Sequence, residues 1–215
     1  SIMIYKNLVF DFDGVLAESN EIRFEGFRLL FQEFPKGQVD LLIDYAKANG
    51  GVSRYEKIRY FFEEILGEKI TLEKVQSLAE RFSGLVFQKI IEAKPVKGSV
   101  EFLTENASKF NFALVSGSDQ IELRSVCRAR GIDHFFKEIL GSPVSKKENL
   151  TQLLKTFEWE PKDTVYIGDS KNDLEAAHAN LIDFIGRDSG LVRWDCLEVS
   201  RIGDISELKS LLARK

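Results

Sequence analysis

The chain has 215 residues, 44% of them hydrophobic and 30% charged, and its formal net charge at pH 7 is −4. The slightly acidic balance argues against a nucleic-acid partner, and no apolar run reaches the ~20 residues of a membrane helix. We therefore expect a cytoplasmic protein without membrane association, and its oligomeric state stays open. Its two cysteines, Cys127 and Cys196, lack metal-binding spacing and are expected to be free thiols.

Five short apolar runs predict buried strands, at residues 6–10, 110–115, 138–141, 164–168 and 183–185. Helical patterns fall between them, at residues 100–108, 121–130, 148–157 and 173–179. Strands that alternate with helices predict an α/β fold with a doubly wound, mainly parallel, Rossmann-like sheet. Ligands of such sheets bind beyond the carboxyl ends of the strands.

The alternation is interrupted once, between about residues 17 and 94, where only helical periodicity is found. Aromatic residues recur there at spacings of three and four, as on one face of an amphipathic helix: Phe24, Phe27, Phe31 and Phe34. We interpret these rings as packing residues. The pattern predicts an all-helical domain at 17–94, inserted into a Rossmann-like core formed by 1–16 and 95–215.

The first predicted strand ends in two carboxylates, Asp11 and Asp13. Strand side chains alternate, so both acids share one face while Phe12 points to the other. Two acids that leave a buried strand together repel each other unless a cation offsets them, and a divalent metal would do so. The alternative is a strand end whose carboxylates face water, and this segment alone does not separate the two.

The fourth predicted strand carries a second acidic pair, Asp169 and Asp173, one helical turn apart. The carboxyl ends of parallel strands meet at one edge, so this pair can converge with the first. Two converging acidic pairs would be very costly without a metal, which strengthens the metal-site hypothesis for both.

Hydroxyl and amino groups follow the second and third strands. Ser116 and Gly117 stand before a helix that Asp119 is predicted to cap, and such a turn offers a site for an anion or is simply a capped turn. Farther on, the spacing of Ser145 predicts a helix cap that puts Lys146 in the first turn, where a cation opposes the helix dipole. Lys146 is the preferred partner for a phosphate or an acid, Lys147 the alternative, and either could be a solvated surface charge.

These elements in this order resemble the haloacid dehalogenase-like hydrolase superfamily, specifically phosphoglycolate phosphatase-like members with a helical cap after the first strand. The resemblance covers essentially the whole chain. Its signatures are Asp11-Phe12-Asp13-Gly14-Val15, Ser116, Lys146 and Gly168-Asp169-Ser170 with Asp173.

The resemblance implies a role for each matching residue. Asp11 would be the nucleophile that forms an aspartyl-phosphate, and Asp13 the general acid and base. Mg²⁺ would be held by the Asp11 carboxylate, the Asp13 backbone carbonyl and Asp169, with Asp173 binding directly or through water. The transferring phosphoryl group would be bound by Ser116, Gly117 and Lys146.

The inserted segment contains one unusual stretch, in which two glycines precede a helix start capped by Ser53. Arg54 and Lys57 lie three residues apart on one face of this helix. They are either solvated cations or contacts to a polar or anionic leaving group.

The resemblance implies a Mg²⁺-dependent phosphatase for a small phosphorylated metabolite, such as a sugar phosphate or a phosphoglycolate-like acid. A phosphosugar mutase is the alternative, but such mutases usually carry a histidine in the first cap helix, and the only histidines are His134 and His178. A non-catalytic phosphate-binding or signalling module, such as a receiver domain, would lack both the insertion and Asp13.

Overall fold

The computed structural model describes residues 2–214. Six parallel strands form the central sheet: β2 (Asn7–Phe10), β3 (Asn111–Asp119), β4 (Phe136–Ser142), β5 (Thr164–Gly168), β6 (Asp183–Arg187) and β7 (Ser200–Ile202). Their spatial order is β4-β3-β2-β5-β6-β7. Two short segments, β1 (Ile2–Met3) and β8 (Ala213–Arg214), pair antiparallel in a separate sheet.

Eight α-helices accompany these strands within the described residues. Four follow β2 directly: α1 (Asn20–Leu30), α2 (Lys36–Ala48), α3 (Arg54–Tyr60), which continues into a π-helix (Phe61–Ile65), and α4 (Leu72–Ile91). The other four alternate with the later strands: α5 (Ser99–Asn106), α6 (Gln120–Ala129), α7 (Lys146–Phe157) and α8 (Lys171–Ala179). Short 3₁₀ turns lie at Asp133–Phe135, Pro161–Asp163, Trp194–Cys196, Ile205–Glu207 and Lys209–Leu211.

The sheet is buried on both faces, as a doubly wound fold requires. Leu8 and Phe10 of β2 belong to the larger apolar core, which continues into the helices of residues 20–91. Val9, on the opposite face of the same strand, packs in a second core with residues of α7 and α8 such as Leu150 and Ala177. The predicted fold class is confirmed.

The structure contains all five predicted strands and all four predicted helices of the core. It adds β7 and the β1–β8 pair, which are too short to give a periodic signal. One prediction was wrong: Ser116 and Gly117 were placed in a turn after β3, but the strand continues to Asp119. The reason is its neighbour, because pairing with β4 resumes between Asp119 and Ser142 after a shift of register.

The helical segment is connected to the sheet by two chain crossings that run side by side. Ala17 and Pro95 form an isolated antiparallel bridge, and the Glu18 amide donates to the Lys94 carbonyl at 2.8 Å. The predicted domain boundaries fall at these crossings, and the division into domains stays a prediction.

Two further expectations concern the cysteines and membrane-spanning helices. Cys127 is buried, Cys196 is exposed, and both are free thiols. Among the described helices, none is both long and apolar enough to cross a membrane.

The aromatic residues of the insertion pack as expected. Phe24, Phe27 and Phe31 are buried, and the Phe27 ring stacks on Phe82 of α4 with centroids 4.3 Å apart. Gly26 lets α1 approach α4 closely, because a Cβ at this position would overlap the side chains of Val86 and Phe82.

We expect substitution by alanine to have opposite effects at two glycines of this helix pair, Gly26 of α1 and Gly84 of α4. Gly26→Ala should lower the free energy of unfolding by about 1–3 kcal/mol, because the added methyl group overpacks the α1–α4 contact. Gly84→Ala on α4 should raise it by about 0.5–1 kcal/mol, because nothing lies within 4 Å of the added carbon and alanine favours the helix. Urea denaturation measures both, and shifts of the same sign would contradict this packing.

Candidate active site

Three buried carboxylates converge at the carboxyl end of the sheet. Asp11 follows β2, Asp169 follows β5, and Asp173 lies in the first turn of α8. One oxygen atom from each lies within 4.8 Å of the others. The sequence predicted this convergence, although it paired Asp11 with Asp13, whose side chain lies outside the cluster.

Lys146 is the cation that enters this cluster. Its ammonium lies 2.5 Å from Asp173 Oδ1 and 3.3 Å from Asp11 Oδ2, and its side chain is buried. Ser145 caps α7 as predicted, by accepting a hydrogen bond from the Glu148 amide. Lys147 is exposed, so the structure places Lys146 in the site.

Both oxygens of Asp173 are engaged by the chain itself. Oδ1 accepts from Lys146, and Oδ2 accepts from the amides of Asp169 and Ser170. The Tyr166 hydroxyl lies 3.0 Å from Oδ1 but only 2.6 Å from the Val115 carbonyl, and its single proton serves one of these two acceptors. Asp173 orients Lys146 and the turn between β5 and α8.

The cluster carries excess negative charge, since three carboxylates surround one ammonium. Burial and the Asp173 charge raise the pKa of Asp11 well above its usual range, although Lys146 partly offsets them. Burial and the same charge raise the pKa of Asp169 to about 7, although hydrogen bonds from Asn20 and Ser189 lower it. The net formal charge of the ionised cluster is −2, which a divalent cation would neutralise.

Asp13 has different neighbours from Asp11. Its Oδ1 accepts from Ser19 at 2.5 Å and from Arg23 Nε at 3.2 Å, and its Oδ2 accepts from Ser118 at 2.7 Å. Burial acts to raise the pKa of Asp13, but Arg23 and the two hydroxyls lower it overall. The two acids of one strand end are therefore distinct: Asp11 adjoins the acidic cluster, and Asp13 adjoins a guanidinium.

A loop of the helical insertion lies directly against the core at this point. A cavity lies at the strand ends, between the core and the insertion. Ser116 is buried and lines this cavity beside Gly117, near the end of β3. A Cβ at Gly117 would overlap the Gly51 carbonyl, and one at Gly51 would overlap the Lys146 ammonium. Gly51 also has φ +87°, a conformation that side chains rarely tolerate.

The two cations predicted in the insertion, Arg54 and Lys57, are buried, so the alternative of solvated charges is wrong. Both line the cavity. Arg54 lies over the Phe82 ring and donates to Ser83 and to Glu122 of α6. Lys57 lies 5.8 Å from the centroid of the Phe27 ring. Arg54 and Lys57 are buried because α3 packs against α4 and the core. Helical periodicity in the sequence does not predict this packing.

Glu122 joins three parts of the chain and was not expected in the site. One of its carboxylate oxygens accepts from Arg23 at 3.0 Å and from Arg54. Arg23 also reaches Asp13, so a buried chain of alternating charges connects the insertion to the core. The only signal for this network in the sequence is the position of Arg23, shortly after the motif that contains Asp11 and Asp13.

The fold and the site together are those of an α/β enzyme whose acidic and basic groups meet at the strand ends. A family model described as haloacid dehalogenase-like hydrolase matches residues 8–187. The chain therefore belongs to the haloacid dehalogenase-like hydrolases, and the prediction of a hydrolase is confirmed.

Relatives with this fold and similar sequences include named phosphatases. A phosphoglycolate phosphatase of Haemophilus influenzae is 29% identical over 81% of this chain and 82% of its own length. A phosphorylated carbohydrates phosphatase of Thermotoga maritima is 24% identical over 83% of this chain and 82% of its own. The magnesium-bound structure of YfnB from Bacillus subtilis matches with a TM-score of 0.73 and 17% identity, covering 97% of this chain and 98% of that protein.

Glu122 provides a test of the buried charge chain. Glu122→Gln leaves two buried guanidiniums without their shared carboxylate, and it should lower the free energy of unfolding by about 3–5 kcal/mol. Glu138→Gln is the matched control, because its ion pair with Arg124 is 3.6 Å long and more than a third exposed. The control should lose less than about 1 kcal/mol in urea denaturation. Equal losses in the two variants would contradict the assigned network.

Proposed function

We propose that this hydrolase is a Mg²⁺-dependent phosphatase for a phosphate monoester of a small metabolite, a sugar phosphate or a phosphoglycolate-like acid. The observation that carries the proposal is the buried cluster of Asp11, Asp169 and Asp173 with Lys146, beside a cavity at the strand ends. The named relatives, phosphatases of phosphoglycolate and of phosphorylated carbohydrates, support it.

The donor set fits Mg²⁺, since hard oxygen ligands surround a site with a net charge of −2. Asp11 and Asp169 would hold the ion with the Asp13 backbone carbonyl, and Asp173 would bind it directly or through water. When bound, Mg²⁺ neutralises charge on the transferring phosphoryl group and keeps Asp11 ionised.

Asp11 would attack phosphorus and form an aspartyl-phosphate. Lys146 is fixed by Asp173 beside the attacking carboxylate, where it would bind a phosphoryl oxygen. The Ser116 hydroxyl and the Gly117 amide would bind others, since both residues line the cavity. Phosphoryl transfer requires mainly such positioning and charge neutralisation.

Asp13 would move the proton. Arg23, Ser19 and Ser118 favour its ionised form, the form that accepts a proton from the water that hydrolyses the intermediate. To protonate the leaving oxygen, Asp13 must itself carry a proton, which requires a higher pKa of its carboxyl group. The negative charge of the arriving ester would raise the pKa of Asp13.

The helical segment 17–94 would act as a cap domain over a core of 1–16 and 95–215. The close contact of Gly51 with Gly117 and Lys146 supports this role, because it brings the insertion against the proposed phosphate site. Closure would exclude water from the first step, and opening would admit the substrate. The mutase alternative gains no support, since neither His134 nor His178 lines this cavity.

Hydrolysis assays test the proposal. The wild-type protein should release phosphate from a panel of small phosphate esters with Mg²⁺, and Asp11→Asn should lose at least about 10³-fold in kcat. Asp44→Asn, at an exposed position of α2, is the control and should keep full activity. Activity retained in Asp11→Asn, or no hydrolysis of any ester by the wild type, would overturn the mechanism.

Thermal denaturation tests the metal site independently of activity. Mg²⁺ at 100 times its Kd should stabilise the wild type by about 2.7 kcal/mol over the protein in EDTA. Asp169→Asn should be more stable than the wild type in EDTA, because it relieves repulsion among the acids, and should lose most of the Mg²⁺ increment. An unchanged increment in this variant would rule out Asp169 as a ligand.

A further inference from the structure

The cavity has a second charged region, whose cations all come from the insertion. Three buried cations line it, Arg23, Arg54 and Lys57, and two carboxylates accompany them, Asp13 and Glu122. Both guanidiniums are paired with these carboxylates. The region therefore carries one positive charge in excess.

That excess resides on Lys57. Its side chain is 9% exposed, and no described residue forms a hydrogen bond or an ion pair with its ammonium. Burial lowers the pKa of Lys57 to about 8, and the cations Arg23, Lys146 and Arg54 act in the same direction, although the nearby Asp13 carboxylate acts to raise it. A buried ammonium that faces the Phe27 ring but has no carboxylate as a direct partner is costly, and an anion bound in the cavity would stabilise it.

The rest of this wall limits what the anion can be attached to. The rings of Phe24, Phe27 and Phe82 line the cavity and offer no hydrogen bonds to the hydroxyl groups of a sugar. About 60 Å³ of the cavity is open to the centre of a water molecule, so the space between the acids and these rings is narrow. A short, apolar linker between two anionic groups fits these walls better than a hydroxylated ring.

We propose that Lys57 binds a carboxylate on the leaving group, so that the substrate is the phosphate monoester of a short hydroxy acid. This inference rests on the proposed phosphatase function and narrows its substrate. It assigns the recognition of charge to Lys57 and not to Arg54, whose positive charge is already paired with the Glu122 carboxylate. Arg54 instead positions Glu122 beside the cavity.

Three esters of nearly equal size test the charge preference. They are 2-phosphoglycolate, 2-hydroxyethyl phosphate and phosphoethanolamine, which present a carboxylate, a hydroxyl and an ammonium at the same place. The wild type should show kcat/KM values that fall in this order. Lys57→Met should lower kcat/KM for 2-phosphoglycolate by about 10- to 100-fold, mainly through KM, and change that for hydroxyethyl phosphate less than threefold.

Two further measurements separate recognition from structure. Lys57→Met should raise Tm by a few degrees, because it removes a buried unpaired charge, whereas loss of a structural contact would lower Tm and all activities together. Lys74 is an exposed lysine of α4, and Lys74→Met is the control, which should change neither Tm nor kcat/KM for any of the esters.

The outcomes distinguish this inference from the proposed function. If the wild type hydrolyses hydroxyethyl phosphate as well as 2-phosphoglycolate, or if Lys57→Met affects both esters equally, the carboxylate site is refuted and the phosphatase stands. A clear preference for a bisphosphate over 2-phosphoglycolate would also refute the carboxylate. If no phosphate ester is hydrolysed, the proposed function fails and this inference fails with it.

Discussion

The repulsion among three buried carboxylates is the constraint on which the site depends. Asp11, Asp169 and Asp173 are held together by the ends of two parallel strands and the first turn of a helix, and Lys146 offsets only one of their charges. Such a cluster lowers the stability of the fold unless a cation completes it. The same excess charge that destabilises the free protein would favour the binding of a divalent ion.

The cavity thus joins two regions of opposite character. The strand ends supply acids, which would hold a metal, and the helical insertion supplies cations and aromatic rings, which would contact the leaving group. The chain of charges through Arg23 and Glu122 connects them, since it reaches Asp13 from one side and Arg54 from the other. This chain of charges would therefore fix the insertion against the core beside Asp13, the residue proposed to move the proton.

The sequence predicted the parts of this site that obey local rules. Residues that end strands or cap helices are readable from short patterns, so Asp11, Asp169 and Lys146 were placed correctly at one edge of the sheet. The pairing of Arg23 with Glu122 was not readable, because it depends on docking of helices that lie 99 residues apart in the chain. The burial of Arg54 and Lys57 was left open for the same reason, and the extension of β3 to Asp119 depends on its pairing with β4.

Trapping the phosphorylated enzyme tests the assignment of Asp11 most directly. The protein would be mixed with an ester that it hydrolyses, quenched in acid within one turnover, reduced with borohydride and analysed by peptide mass spectrometry. Our account predicts conversion of Asp11 to homoserine, only when ester and Mg²⁺ are both present. Hydrolysis without reduction at Asp11, or reduction at Asp13 or Asp169 instead, would contradict it.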